Sequence, residues 1–193
     1  MIINHFRGVA LTGAGALLAP LALFAVAPAA NAGPAAEPFG PACASLPASG
    51  EGSAAGMADD PVATAASNNP ELSTLVTAVK KAGLVDTLNN AENITVFAPT
   101  NAAFEKIPKA DLDKILNDKE QLTDLLTYHV VDEKVTVDEL PDGSFKTLQG
   151  GMLTTSGSGE SFEVNDSAKI VCGDVATENA TVQLIDTVLM PKS

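Results

Sequence analysis

Apolar residues recur at intervals of three and four up to about Lys134, and beyond it they fall into short runs broken by glycine, asparagine and aspartate. Helices first and strands second, with no regular βαβ alternation, specify an α+β domain. Leu72, Leu75, Val76 and Val79 follow Asn69-Pro70 at helical spacing, and Lys80, Lys81 and Gly83 supply a basic last turn and a stop. Asp60-Pro61 reads as the cap and first turn of an earlier helix reaching about Ser67. A brief turn follows at Leu84, Val85 and Leu88.

The stretch TVFAPTNAAF changes from strand to helix within ten residues. Residues 94–98 form an apolar strand. Pro99 cannot donate to a ladder, so the strand stops there. Thr100 is expected to cap a helical turn that buries Ala103 and Phe104. Pro108 then opens a helix carrying Leu112, Ile115 and Leu116, and Asp118 with Gln121 predicts a capping box for the next, whose Leu122, Leu125 and Leu126 face inward. Tyr128-His129-Val130-Val131 follows directly as a β-branched run. Strands are expected at 145–148, 152–155, 161–164, 168–172 and 181–186, with a last apolar run at 188–190.

Residues 1–32 carry one positive charge, a long apolar run and an Ala-Asn-Ala ending, which together predict a cleaved signal peptide. With no second apolar stretch, no stable membrane anchor is expected. Residues 33–58 are so rich in Pro, Gly, Ala and Ser that they read as a flexible segment, and the domain is placed at 59–191. Cys43 and Cys172 are the two cysteines. In an exported chain such a pair is most simply a disulfide, here tethering the flexible segment to a late strand. A reactive thiol or a metal site would be the alternative; the absence of Cys-x-x-Cys and the single histidine beyond the leader weigh against both.

The net charge of −13 disfavours nucleic acid and anionic lipid surfaces, while the scatter of the acids fits solvation. Pairs such as Asp59-Asp60 and Asp132-Glu133 lack the oxygen spacing of a calcium loop. No nucleophile elbow, zinc motif or phosphate loop accompanies His129, so neither catalysis nor a cofactor is expected.

TVFAPTNAAF, the Tyr128-His129 pair after a Leu-rich helix, and VQLIDTVLMP at 182–191 stand in the order and spacing of the two conserved boxes and the central Tyr-His motif of the fasciclin domain, and the chain resembles that family over 59–191. Within it, DPVATAASNNPELSTL, LTYHVV and the Cys43 and Cys172 arrangement resemble the single-domain antigens secreted by mycobacteria. The resemblance implies a wedge of short, mostly antiparallel strands packed with helices, and a bacterial, secreted, non-enzymatic protein of adhesion or recognition, monomeric and immunogenic. Its partner would be a host or cell-surface protein, contacted through Lys109, Asp113, Lys119 and Asp124 on the exposed helices or through Tyr128 and His129, which read alternatively as hydrogen-bonded parts of the junction between helix and strand. The alternative is a carrier of an apolar small molecule, with a cavity lined by Phe104, Leu126, Phe145 and Met152. One departure stands out: many members have Asn-Gly-x-Ile-His before the second box, where this chain has Asn179-Ala180-Thr181-Val182-Gln183.

Overall fold

The computed structural model describes residues 37–191, so the leader expected over 1–32 lies outside the described residues. Among these residues seven strands form one sheet: β1 (Ile94–Pro99), β2 (Val130–Val131), β3 (Ser144–Lys146), β4 (Met152–Ser158), β5 (Ser161–Val164), β6 (Ala168–Ala176) and β7 (Ala180–Ile185), in the order β2-β1-β7-β6-β5-β4-β3. β1 and β7 run parallel, with Ile94 opposite Ala180 and Pro99 opposite Ile185; the other pairings are antiparallel. The α+β architecture of short, mostly antiparallel strands is the one expected. The two conserved boxes are therefore neighbours at the centre of the sheet.

That centre is apolar on both faces, as a doubly covered strand must be. Alternation along β1 sends Val96 and Ala98 into a core shared with the helices and Phe97 into a second core. β7 does the same with Val182 and Leu184 against Ile185. The first core is closed by α2 (Val62–Asn68), α3 (Ser73–Ala82), α4 (Val85–Asn90), α5 (Asn101–Glu105) and α7 (Lys119–Tyr128), with α6 (Lys109–Asn117) packed more loosely beside it; α1 (Ala54–Met57) contributes Met57. Leu140, Phe145, Leu153 and Phe162 fill the second core. Gly83 ends α3 in the left-handed conformation, φ 76°, as its glycine requires. None of the described helices is long and apolar enough to cross a membrane.

Several local expectations are corrected. Asp60 does not cap α2; its carboxylate accepts from the Asn68 amide, while the N–H groups of Val62 and Ala63 donate to Asn179 and Asn89. Thr100 occupies the cap position of α5 without a side-chain bond. Its neighbour Asn101 accepts from the Thr74 N–H and donates to the Pro70 carbonyl, which joins the start of α3 to the start of α5. Asp118 caps α7 as expected, but Gln121 donates to its carboxylate, not receiving from its backbone as a capping box would. Residues 188–190 form no strand, and a 3₁₀ helix at Val137–Asp142 fills a stretch left without structure.

The described part of the segment expected to be flexible, 37–58, carries a 3₁₀ turn at Pro41–Ser45, α1, and buried Leu46 and Met57. Pairing to β6, together with the bond between Cys43 and Cys172, supplies the order that composition alone withholds. Phe39 and Gly173 exchange both backbone hydrogen bonds, at 3.1 and 2.7 Å. A side chain on Gly173 would run into the Phe39 ring and the Gln183 amide, so only glycine admits the strap this close. Phe39 also meets Phe162 edge to face, 5.5 Å between centroids.

Candidate functional site

The Tyr-His pair sits where α7 ends, and both side chains are committed to the interior. Tyr128 and His129 are 4% and 2% exposed, which corrects the expectation that they reach a partner. His129 is the C-cap residue of α7. Its Nδ1–H donates to the Leu125 carbonyl at 2.8 Å, and its Nε2 accepts the Leu189 N–H at 3.0 Å. A carbonyl can only accept and an N–H can only donate, so this arrangement requires the neutral ring. Burial enforces the same state, lowering the pKa to about 4 against the smaller opposing effect of the Leu125 bond. The imidazole thus fastens the end of α7 to the segment after β7.

Tyr128 performs the equivalent task toward the second core. Its hydroxyl donates to the Met152 carbonyl at 3.2 Å and accepts from the Asn165 amide at 3.0 Å. Asn165 is in turn held by the Thr154 N–H, at 3.0 Å to its carbonyl oxygen. The base so formed supports an exposed surface. Met152 and Met190, 52% and 48% exposed, stand beside two adjoining clefts of about 380 and 350 Å³ that share Gln149 and Pro191. Asp124, Leu125 and Ile115 line the first cleft, and Tyr128, Gly151 and Thr154 the second.

The four charged candidates are exposed as expected, but they do not converge. Asp124 borders the cleft beside Met190, Lys119 borders a separate hollow at the corner between α6 and α7, and Lys109 and Asp113 stand on α6. The residues expected to line a carrier cavity also separate. Phe104 and Leu126 belong to the first core, Phe145 to the second, and Met152 lies on the surface.

Two polar residues on and before β7 carry more structure than their sequence suggests. The Asn179 side chain accepts from Val62 at 2.8 Å and donates to the carbonyls of Leu88 and Ala91 at 2.8 and 2.6 Å, joining α2, α4 and β7. Gln183 is fully buried and pairs twice with Asp174, receiving its N–H at 3.1 Å and donating to its carboxylate at 2.9 Å. Asp174 has φ 54° at the irregular stretch of β6. Burial raises its pKa, and the Gln183 bond offsets part of that. The second box also holds Asp186, where burial is outweighed by bonds from the Lys169 N–H, Lys106 and Thr187, so its carboxyl stays below the usual range.

The family model of the fasciclin domain matches residues 70–191. The cell surface glycolipoprotein MPB83 of Mycobacterium bovis is 52% identical over 174 residues, spanning 86% of this chain and 78% of that one. The immunogenic protein MPT70 of Mycobacterium tuberculosis is 47% identical over 196 residues, spanning 97% of each. Among solved structures, a FAS1 domain pair from the insect cell adhesion molecule fasciclin I has a similar fold, with a TM-score of 0.57 and 19% identity over 70% of this chain and 52% of that one. This chain therefore spans about half the length of that pair. A match over more than half the chain, together with relatives near half identity along most of its length, makes this protein a member of the fasciclin domain family.

Proposed function

We propose that the chain works outside the cytoplasm, at the surface or in the envelope of a bacterium, as a monomer that binds a host or cell-surface protein and turns over no substrate. The similarity to a mycobacterial cell surface glycolipoprotein and an immunogenic protein supports the location and the antigenic character. The observation that carries the recognition reading is the pair of half-exposed methionines, Met152 and Met190, beside clefts that meet at Gln149 and Pro191. Methionine adapts to irregular partner surfaces, and here it stands on a base held by the hydroxyl of Tyr128. Reaction chemistry has little to draw on, since both nitrogens of His129 are already used.

The test compares binding of fluorescently labelled protein to host-cell monolayers and to bacterial cells. Met152→Asp with Met190→Asp is expected to reduce saturable binding at least tenfold. Asp113→Ala is the control, because it lies about 200° round α6 from the cleft residue Ile115. Equal binding by the double variant and the wild type would refute the assignment of this face.

A further inference from the structure

Of the four methionines, Met1 opens the expected leader, which leaves Met57, Met152 and Met190. Met57 is fully buried in the first core, where its Sδ accepts from the Asn69 amide at 3.7 Å. Met152 and Met190 are half-exposed, and each shares a cleft with Pro191.

Other groups that a two-electron oxidant attacks readily are missing or covered. Both cysteines are committed to the disulfide, so no thiol competes. The chain has no tryptophan, and Tyr128 and His129, its one tyrosine and the one histidine beyond the leader, lie in the interior. A thioether reacts through a sulfur lone pair without prior deprotonation, so access decides which methionine is attacked.

The backbone beneath the two exposed side chains is pinned by the Tyr-His pair. The Tyr128 hydroxyl donates to the carbonyl of Met152 itself, and His129 Nε2 receives the N–H of Leu189, next to Met190. A change of polarity at either sulfur therefore falls on a fixed support, in side chains that already stand half in water.

From this arrangement we propose that Met152 and Met190 form a paired, reversible sulfoxidation site, through which a peroxide converts the face between the clefts from apolar to polar while the fold persists. In each event the sulfur lone pair attacks one peroxide oxygen, an S–O bond forms as the O–O bond breaks, and the transferred hydroxyl gives its proton to the departing hydroxide. The sulfur loses two electrons, and hydrogen peroxide is reduced to water. A sulfoxide oxygen is a strong acceptor that demands water or a donor, so an apolar partner surface that fits methionine does not fit the product. The effect on binding rests on the recognition face proposed above; the oxidation itself needs no partner.

The disulfide-bonded protein is treated with graded hydrogen peroxide, and each methionine is followed by mass spectrometry of proteolytic peptides. Met152 and Met190 are expected to oxidise within about threefold of each other and at least about tenfold faster than Met57, a gap that closes in concentrated urea. The doubly oxidised protein should keep its melting temperature within about 2 °C. A pair of methionine sulfoxide reductases, one for each epimer, should return both sulfurs to thioethers, with thioredoxin supplying the electrons. Met152→Leu with Met190→Leu removes the sulfurs and keeps the face apolar. That variant should bind host or bacterial cells equally before and after peroxide, whereas oxidised wild type should bind at least about fivefold less and recover after reductase treatment. Oxidation of Met57 in the folded protein as fast as the exposed pair, resistance of either exposed sulfur, unfolding on oxidation, or full binding by the doubly oxidised protein would each overturn the assignment. Absence of binding by untreated protein would refute the recognition face alone, because the peroxide map is decided without a partner.

Discussion

The Leu189 N–H donates to His129 Nε2 at 3.0 Å, across sixty positions of sequence, and this bond ties the Tyr-His motif to the second conserved box. It exists only while the ring is neutral. With a folded pKa of about 4 and an unfolded value near 6.5, the unfolded chain takes up the proton first as the pH falls. The contribution is therefore complete above about pH 6.5, declines between about 6.5 and 4, and is constant below that. The expected loss is about 3 kcal/mol. Asp174, whose pKa is raised by burial, acts in the opposite direction, because the folded protein takes its proton first. Urea denaturation of wild type and His129→Gln at pH 7 and 4.5 separates the two: the stability difference between the proteins should shrink at the lower pH.

Tyr128→Phe removes a hydroxyl that serves the Met152 carbonyl and the Asn165 amide. Leaving those partners without it should cost about 1–3 kcal/mol in urea midpoints. The near-surface Met152 should become more mobile, which methyl relaxation of a labelled sample would detect.

Asn179→Ala strands the Val62 N–H and frees the carbonyls of Leu88 and Ala91. Part of this site reaches water, so about 2–4 kcal/mol is expected. Asn179→Asp keeps the acceptor but places a carboxylate against two carbonyls, and it should be no better than alanine. Thermal unfolding of both variants provides the check.

Cys43→Ser with Cys172→Ser opens a loop with a sequence separation of 129. The chain-entropy relation gives a loss of about 4–5 kcal/mol. Amide exchange should quicken first at Gly173 and Phe39, because the strap is held there by two backbone bonds and one aromatic contact.

The elements built on local rules were legible: α3 with its glycine stop, the strand that ends at Pro99, the cap of α7 at Asp118, and the hairpin strands after Lys134. What escaped was non-local. Asp60 is the cap that spacing suggests for α2, yet Asn179, 117 positions away, makes the bond to Val62. Tyr128 and His129 read as hydrogen-bonded parts of the junction after a Leu-rich helix, and as candidate contacts only through the family resemblance. Their burial depends on partners at 152, 165 and 189 that no local pattern announces. The order in residues 37–58 was hidden for a similar reason, since Gly173 signals a close approach without naming Phe39 as the group that approaches.

The covalent link from the strap to β6 also decides how this molecule bears a mechanical load. A pull on the chain ahead of Cys43 passes through the sulfur atoms to Cys172, in the strand beside β7, and bypasses the turns between 43 and 59. Any tether on that side would strain the middle of the sheet in place of unravelling the helices one by one.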